Sequence, residues 1–583
     1  MMTLRHSALI FPLLLAACVN TQSPRLQPLA QAKAERQAAV QAAQAPVEKP
    51  LNLPKMELSG AMLYDFLLGE MASQRGRPDL AVQVYSDLAS ATQDPRVVRR
   101  AAQLAFEARE LDKAVEQLNL WLKLEPESVL ANQMLATLLL SGGKLQEARP
   151  YLVNILAANP TQAGRTFLQI YPLIARYPDK EAVFSLVQDL AQRYPGAVEV
   201  HLVLAQAAAA AGKQDIALKE VRQAREIQPS WELAALYEAQ LLQRTAPQQA
   251  QTILKKFLDR YPDSSEVRLL YARLLLEQKQ YALSRAEFKR LLDANPDSAD
   301  LAFTVAMLSL ELNEFDRAEA ELRQALARGK KDQDTVYYYL GQLAEAKKRD
   351  DDALQNYRRV LEGEYAYPAH LRVVYLLNKA HKLEEARAYL HQISTQNDTQ
   401  RVQLLVAEAQ MLRDAKQLDA AYQILAQGQE KMPGHPELIY ETAMVADQLG
   451  KRDVFEQMMR KVIEIQPDYA QAYNALGYSL LDRNERVQEG MQLVEKANQL
   501  APDDAGIIDS VGWGYYRTGN LVKSVEYLRR AYGANPDPEI AAHLGEVLWA
   551  QGEKEQARKV WNEALKTNPD NTVLLDTMKK FSP

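Results

Sequence analysis

The sequence predicts an all-α protein, a right-handed superhelix of about fifteen helix–turn–helix repeats followed by a C-terminal capping helix. The first observation is a residue, usually small, that recurs every 33 to 35 residues after a polar turn. Its positions are Ala81, Ala114, Ala148, Ala182, Ala217, Ala250, Ser284, Ala318, Ala353, Ala386 and Ala420, continued by Phe455, Gly490, Ser524 and Ala557. The second observation is a series of prolines with the same period, from Pro126 to Pro569. Such a period is typical of a stacked array.

Residues 1–17 predict a secretory signal peptide. Arg5 precedes an apolar stretch from Ala8 to Leu15, and the small residues Ala16 and Ala17 follow. A charged start, a short apolar middle and a small-residue end are the signature of such a signal. The apolar stretch is about half of the roughly 20 residues that a membrane-spanning helix needs.

Cys18, the one cysteine of the chain, directly follows this segment. The run Leu15-Ala16-Ala17-Cys18 resembles the bacterial lipobox, which implies lipidation of Cys18 with diacylglycerol and an acyl chain such as palmitate. Several acyl chains give firm anchoring, and Val19 in place of Asp implies sorting to the outer membrane, facing the periplasm. The alternative is an ordinary signal peptide with an incidental cysteine. A single cysteine also excludes an internal disulfide.

Residues 18–57 predict a flexible, lipid-anchored tether. The segment is rich in Ala and Gln and then contains Pro46, Pro50 and Pro54. It has few large apolar residues, so it cannot bury a core of its own, and its proline-rich part favours extended backbone.

Residues 58–569 predict the repeat array, and the last repeat illustrates the pattern. Small residues where two helices approach let the backbones pack, and larger side chains fill the flanks. The predicted first helix carries Leu544, Gly545 and Leu548, the turn is Gly552-Glu553-Lys554, and the second helix carries Ala557, Trp561 and Ala564. Pro569 then ends the repeat, and residues 570–583 predict the capping helix. The pattern is weak near 161–196 and 398–432, and residues 483–490 carry one extra residue.

Catalytic and metal-binding motifs are not found in the sequence, which predicts a protein that is not an enzyme and needs no metal or cofactor. The run Gly512-Trp513-Gly514 only superficially resembles the start of a dinucleotide-binding loop. His381 and His391 fall in one repeat, where packed or solvated histidines are the simpler interpretation than a metal site. The acidic run 350–352 precedes a second helix, where acids favour the helix N-terminus. The net charge of −6 gives no basic footprint for nucleic acid.

The remaining candidate function is protein binding along the groove that the first helices of such an array form. Aromatic and polar side chains at first-helix positions are the candidates, with burial between repeats as the alternative for each of them. The groove candidates are Tyr338, Gln342, Tyr375, Tyr440, Asn474, Tyr478, Trp513, Tyr516, Arg517 and Trp549, with Arg273 and Glu546 as further polar residues.

The repeats resemble the tetratricopeptide (TPR) repeat, which has 34 residues, most clearly at Tyr337-Leu340-Gly341, Tyr473-Leu476-Gly477 and Val511-Gly512-Tyr515. Together with the lipobox and the opening repeat from Leu63 to Ala105, the chain resembles the large outer-membrane TPR lipoproteins of Proteobacteria. This resemblance implies an adaptor that binds a periplasmic carboxyl-terminal-processing protease and delivers cell-wall hydrolases to it as substrates. The alternative is a structural TPR lipoprotein of an envelope machine for polysaccharide export, secretin assembly or outer-membrane biogenesis.

Overall fold

Helices alternate between two roles along the chain, as the repeat pattern predicts. The computed structural model describes residues 53–581, and its contacts divide them into two units, 53–331 and 332–581. In each repeat an odd-numbered first helix is followed by an even-numbered second helix. The first unit contains α1 (Gly60–Gln74), α2 (Pro78–Thr92), α3 (Pro95–Glu107), α4 (Leu111–Leu124), α5 (Val129–Ser141), α6 (Leu145–Ala157), α7 (Ala163–Ile174), α8 (Lys180–Ala191), α9 (Val198–Ala210), α10 (Gln214–Ile227), α11 (Glu232–Leu242), α12 (Pro247–Arg260), α13 (Ser265–Glu277), α14 (Tyr281–Ala294), α15 (Ala299–Glu311) and α16 (Phe315–Ala327).

The second unit continues the same alternation and ends with an additional helix. It contains α17 (Gln333–Ala346), α18 (Asp350–Tyr357), α19 (Ala366–Lys379), α20 (Leu383–Leu390), α21 (Asp398–Asp414), α22 (Leu418–Lys431), α23 (Pro436–Gln448), α24 (Arg452–Ile465), α25 (Ala470–Asp482), α26 (Val487–Leu500), α27 (Ala505–Arg517), α28 (Leu521–Ala534), α29 (Pro538–Ala550), α30 (Lys554–Thr567) and the closing helix α31 (Thr572–Phe581). The described residues thus form fifteen helix pairs and a capping helix. This confirms the predicted all-α repeat fold.

The turn inside a repeat is short because its second residue adopts a left-handed backbone. At Gly519, between α27 and α28, φ is 84°. The backbone N–H of Asn520 then donates to the carbonyl of Tyr515 over 2.8 Å, and the N–H of Gly519 donates to the carbonyl of Tyr516 over 3.0 Å. This pair of hydrogen bonds satisfies the last carbonyls of the first helix and turns the chain back into the second helix.

The residues that carry the 34-residue period lie where the two helices of a repeat cross. Ala557 is fully buried, and at Gly545 an added Cβ would lie 1.9 Å from Trp561 Nε1. Where serine replaces alanine, its hydroxyl is satisfied within the crossing: Ser524 Oγ donates to the carbonyl of Gly512 over 2.7 Å. A side chain added at Gly545 would therefore separate the two helices of its repeat, whereas the repeat that carries Phe455 at the period position buries that larger ring.

The weak repeats correspond to local departures from this geometry. A 3₁₀ turn at Pro160–Gln162 precedes α7, and α7 makes its more extensive contact with α9 rather than with α8. The turn between α25 and α26 holds one residue more than its neighbours, with Asn484 and Arg486 both left-handed at φ 56° and 44°. Two further departures lie outside the stretches predicted to be weak: the second helices α18 and α20 have only eight residues each.

The two ends of the described chain differ in how their apolar side chains are covered. On α1, Leu63, Leu67 and Met71 are 48%, 57% and 47% exposed. At the other end, Phe581 of the closing helix α31 packs its ring against Trp549 and Trp561, with centroids 5.8 and 5.9 Å away. The last repeat is therefore covered by its own chain.

The predicted signal peptide, Cys18 and residues 18–52 of the predicted tether lie outside the described residues. Between residues 53 and 581, none of the helices combines the length and the apolar character that crossing a membrane requires.

Candidate functional site

Eight side chains from three successive first helices meet in the second unit, and we call them the C-terminal cluster. First helices of neighbouring repeats contact each other directly, so residues at the same phase of the repeat become neighbours in space. The C-terminal cluster consists of Tyr478 and Asp482 on α25, Asp509, Trp513, Tyr516 and Arg517 on α27, and His543 and Glu546 on α29.

His543 is the centre of the C-terminal cluster. Its Nδ1 lies 2.8 Å from Asp509 Oδ2, and its Nε2 lies 3.3 Å from the hydroxyl of Tyr478. The imidazole ring stacks on Trp513 with centroids 4.3 Å apart and planes 25° apart. Three repeats are thereby connected through one side chain, because Tyr478, Asp509 and His543 belong to consecutive first helices.

The guanidinium of Arg517 completes one side of the cluster. It lies over the Trp513 ring, with Cζ 4.8 Å from the ring centroid, in a cation–π arrangement. Its Nη2 donates to the backbone carbonyl of Asp482 over 2.9 Å, while Tyr516 packs against Trp513 at 5.0 Å. Tyr516 and Arg517 are both partly exposed, so they form the accessible edge of the cluster.

Glycines allow these helices to approach closely enough. A Cβ at Gly512 would lie 2.7 Å from the Leu528 side chain and 3.2 Å from the Leu528 backbone nitrogen. A Cβ at Gly514 would lie 2.7 Å from Met491 Sδ. The run Gly512-Trp513-Gly514 therefore serves helix packing, with Gly512 facing α28 and Gly514 facing α26.

Burial and neighbouring carboxylates determine the protonation of the cluster. Burial disfavours the charged imidazole, but the Asp509 carboxylate, with Glu546 and Asp482, raises the pKa of His543 above its usual value. Burial raises the pKa of Glu539, which lies one turn before His543, and Asp537 and Asp509 add to that shift. Burial likewise raises the pKa of the Tyr516 phenol.

Several polar atoms of the cluster are buried and have no hydrogen-bond partner within residues 53–581. They are Asp509 Oδ1, Trp513 Nε1 and Arg517 Nε. Buried polar atoms in folded proteins are usually paired. The cluster therefore offers two donors and one acceptor to a group that enters it.

The structure brings four of the predicted groove residues, Tyr478, Trp513, Tyr516 and Arg517, into this one cluster. Trp513 is only 3% exposed, because His543 and Arg517 cover its two sides. Trp513 therefore lies beneath the accessible surface, whereas the sequence made it a candidate for the surface of the groove.

Two further groove candidates lie next to the cluster. Asn474 is one helical turn before Tyr478, and its Oδ1 is another buried atom without a partner among the described residues. Trp549 stacks on Trp561 at 5.9 Å and packs on the closing helix. Trp549 thus contributes mainly to the capping of the last repeat.

The other groove candidates lie elsewhere in the structure. Tyr338 on α17 stacks on Tyr365 at 4.5 Å and interacts with the Gln342 side chain. Tyr375 is 39% exposed and lies beneath the guanidinium of Arg372, 4.4 Å away. Tyr440 on α23 packs on Tyr469 at 5.4 Å, and burial strongly raises its pKa. The additional polar residue Arg273 lies on α13 in the first unit.

Sequence reasoning missed Asp509 and did not single out His543. The signal was available, because the two positions are 34 residues apart, one repeat period. His391, considered above as a metal ligand, instead binds the buried carboxylate of Glu408 through Nε2 at 2.9 Å. Within residues 53–581 no three His, Cys, Asp or Glu side chains are grouped as a metal ion would require, and the absence of a metal or cofactor stays a prediction.

Comparisons with known proteins identify the repeat. Sequence models of the tetratricopeptide repeat match residues 99–163, 241–302 and 294–570. The TPR repeat-containing protein PA4667 of Pseudomonas aeruginosa is 39% identical over 492 residues, which cover 83% of this chain and 82% of that protein.

More distant similarities cover smaller parts of the chain. The human protein O-mannosyl-transferase TMTC1 is 25% identical over 171 residues, 28% of this chain and 19% of TMTC1. The solved C-terminal part of a TPR repeat-containing protein from Cytophaga hutchinsonii is 17% identical, covers 42% of this chain and 99% of its own, and gives a TM-score of 0.33.

Proposed function

This chain belongs to the family of TPR repeat-containing proteins, and from that premise we propose that it is a non-catalytic, lipid-anchored scaffold of the bacterial envelope. Arrays of this kind bind other proteins through the face that their first helices form. The finer proposal is an adaptor that holds a periplasmic carboxyl-terminal-processing protease together with its cell-wall hydrolase substrates.

The observation that carries the scaffold proposal is the C-terminal cluster. It groups Tyr478, Trp513, Tyr516 and Arg517 with unpaired buried donors and an unpaired buried acceptor. Tyrosine, tryptophan and arginine are the side chains that most often dominate protein–protein binding energy. Because Tyr516 and Arg517 form the accessible edge, a partner side chain would contact these two first.

The location rests on the sequence around Cys18. A lipid anchor at Cys18 would hold the array at the periplasmic face of the outer membrane, and residues 18–57 would set its distance from the surface. Two proteins bound to one anchored scaffold meet at a raised effective concentration. An adaptor therefore needs no catalytic residue of its own: it converts a rare encounter between protease and hydrolase into a local one.

Affinity capture tests the adaptor and its alternative together. The full chain and its Tyr516→Ala variant are used to capture proteins from envelope extract, followed by mass spectrometry. Recovery of a serine protease together with cell-wall hydrolases supports the adaptor. Recovery of polysaccharide-export, secretin or outer-membrane-assembly components in their place supports the structural alternative and refutes the adaptor.

Tyr515→Ala is the matched control for the cluster. Tyr515 is the adjacent tyrosine on α27, but its ring packs on Tyr527 of α28, 5.5 Å away, and its hydroxyl donates to Glu495 of α26. We expect Tyr516→Ala to reduce capture of one partner and Tyr515→Ala to leave it unchanged. Equal capture by both variants would exclude the C-terminal cluster as the binding site.

The anchor is tested separately. Cys18→Ser should abolish incorporation of labelled palmitate and release the protein from the membrane fraction. Palmitate labelling that survives this substitution would refute the lipidation of Cys18.

A further inference from the structure

A cleft of about 440 Å³ opens between α20, α21 and α22, and none of its lining residues belongs to the C-terminal cluster. This volume is within the range of about 300–1,000 Å³ for sites that bind small ligands or side chains. Its apolar lining consists of Leu390, Ile393, Leu404, Leu405, Ile424 and Met432.

The cleft exists because one second helix is short. The second helix α20 ends at Leu390 after eight residues, whereas α22, in the next repeat, has fourteen. The last turns of α20, which would cover the neighbouring first helix, are replaced by the irregular segment 391–397. The stretch 398–432, where the repeat pattern of the sequence is weak, begins directly after this segment and contains α21 and α22.

Gly428 maintains the shape of the cleft from the side of α22. A Cβ at this position would lie 2.8 Å from Leu405 Cδ1. Any larger residue would therefore displace Leu405, one of the apolar lining residues, and change the cleft.

The rim of the cleft is positively charged. Arg387, Arg401 and Lys431 line it together with a single carboxylate, Glu408, so the lining has a net charge of +2 with His391 neutral. Glu408 has only 3% of its side chain exposed and accepts hydrogen bonds from Arg387 Nε, and from His391 if that nitrogen is protonated, each at 2.9 Å. This buried carboxylate binds Arg387. Arg401 binds the exposed carboxylate of Asp398, which does not line the cleft, whereas Lys431 has no ion-pair partner among residues 53–581. A ligand carboxylate would therefore compete with Asp398 at Arg401 and meet Lys431 directly.

Arg401 and Lys431 lie on different helices, at the start of α21 and at the end of α22. The side chain of Arg401 is 51% exposed, and Lys431 is exposed as well. The chain as a whole has a net charge of −6, so an apolar cleft lined by more cations than carboxylates is a local exception. Asp398 and Glu384 pair with Arg401 and Arg387 from outside the lining, and the cations still favour a ligand that carries carboxylates.

From this charge complementarity we infer that the cleft is a second protein-binding site, whose occupant is an acidic–apolar peptide segment. One large apolar side chain of the segment enters the cleft, and carboxylates on both sides of it contact Arg401 and Lys431. Two cations on two helices match two side-chain carboxylates along a segment better than a single terminal carboxylate. The site is independent of the C-terminal cluster, so the array can hold two partners at once.

Fluorescence anisotropy with the full chain tests this inference. The probe is a labelled peptide, Glu-Glu-Leu-Phe-Glu-Glu, with both ends blocked. The comparison peptides replace either the four Glu by Lys or the Leu-Phe pair by Ser-Ser. We expect the acidic–apolar peptide to bind at least about tenfold more tightly than either comparison peptide, and more weakly as salt is added. Equal binding of the three peptides would overturn the inference.

Paired charge reversals locate the binding. In the double variant Arg401→Glu/Lys431→Glu, two attractions become repulsions, and affinity for the acidic peptide should fall at least about tenfold. The matched control is Arg558→Glu/Lys461→Glu: Arg558 has the same i,i+3 acidic neighbour and a 52% exposed side chain, and Lys461 is exposed. The control should stay within about twofold of the unmodified chain.

If both double variants lose affinity equally, the peptide binds through overall charge and the cleft is not its site. If a version of the peptide with an unblocked carboxyl end binds about tenfold more tightly still, a terminal carboxylate is the true ligand and the assignment to an internal segment is wrong. Circular dichroism of each variant confirms that the helices are intact. Because Tyr516 and its neighbours are untouched, failure here leaves the capture experiment on the C-terminal cluster unaffected.

Discussion

The crossing at Gly545 gives the sharpest test of how the repeats are held together. In Gly545→Ala the new Cβ would lie 1.9 Å from Trp561 Nε1 and 2.2 Å from Trp561 Cε2. A relaxed contact between such atoms is about 3.5 Å, so Trp561 would have to move by about 1.5 Å. Trp561 is 2% exposed, and its ring stacks on Trp549 and Phe581. The displacement would therefore disturb the capping helix as well.

The magnitude follows from two opposing effects. Replacing glycine by alanine inside a helix stabilises it by about 1 kcal/mol, whereas forcing an extra methyl into a packed core costs about 1–3 kcal/mol. With Trp561 unable to move freely, we expect a net loss of about 1–2 kcal/mol in local stability. Gly533→Ala is the control, because Gly533 is exposed on α28 with no atom within 4 Å of an added Cβ. The same substitution there should stabilise the helix by up to about 1 kcal/mol.

Hydrogen exchange measured by mass spectrometry is the suitable assay. Repeat arrays open locally, so a single global unfolding free energy is not defined for them. Amides of α29 to α31 should lose protection in Gly545→Ala. In the double variant Gly545→Ala/Trp561→Phe, the loss of local stability should be smaller than the sum of the losses in the two single variants. If these amides are as well protected in Gly545→Ala as in Gly533→Ala, the close contact between Gly545 and Trp561 does not limit packing, and the predicted loss of stability is refuted.

Three further outcomes are expected. Arg486 and Arg460 lower the pKa of Glu456 to about 2. Glu456→Gln should therefore cost about 1–2 kcal/mol of local stability at neutral pH, after allowance for the exposed arginines, as measured by hydrogen exchange of α24 and α26. The difference is complete above the usual pKa of glutamate and disappears towards pH 2. Gly519→Ala should cost about 1 kcal/mol of local stability because φ is 84°, and Lys279→Gly, at φ 57°, should stabilise its turn. Hydrogen exchange of the helices flanking each turn that ranks the two variants oppositely would contradict the turn geometry. Asp509→Asn should lower the pKa of His543 measured by NMR, because Asp509 raises that pKa. The stabilisation by this pair is full below pH 6.5 and is lost as the pH rises through the pKa of His543 in the folded protein. An unchanged titration of His543 would refute the pairing.

The sequence predicted the repeats well because their cause is local and periodic. The crossing residues Gly545 and Ala557 can be read from spacing alone, since every repeat meets the same steric limit where its helices cross. The closing helix α31 follows from the same logic, because the last repeat needs a cover.

What could not be predicted depends on how neighbouring repeats are aligned. The pairing of Asp509 with His543 requires the two first helices to be in register, and the burial of Trp513 depends in part on His543 from the next repeat, which stacks on it. The short helix α20 is a second case: the weak stretch 398–432 begins only after it, and a cleft with a charged rim follows only from the positions of α21 and α22.

The unequal covering of the two ends has a consequence for the lifetime of the protein. Within each unit the interior repeats are protected on both sides by their neighbours, whereas the outward apolar side chains of α1 stay exposed and α31 covers the last repeat. Fraying, and with it attack by a protease on an unfolded stretch, should therefore begin more readily at α1 than at α31. Turnover should then remove the first repeat before it reaches the C-terminal cluster, which lies near the covered end.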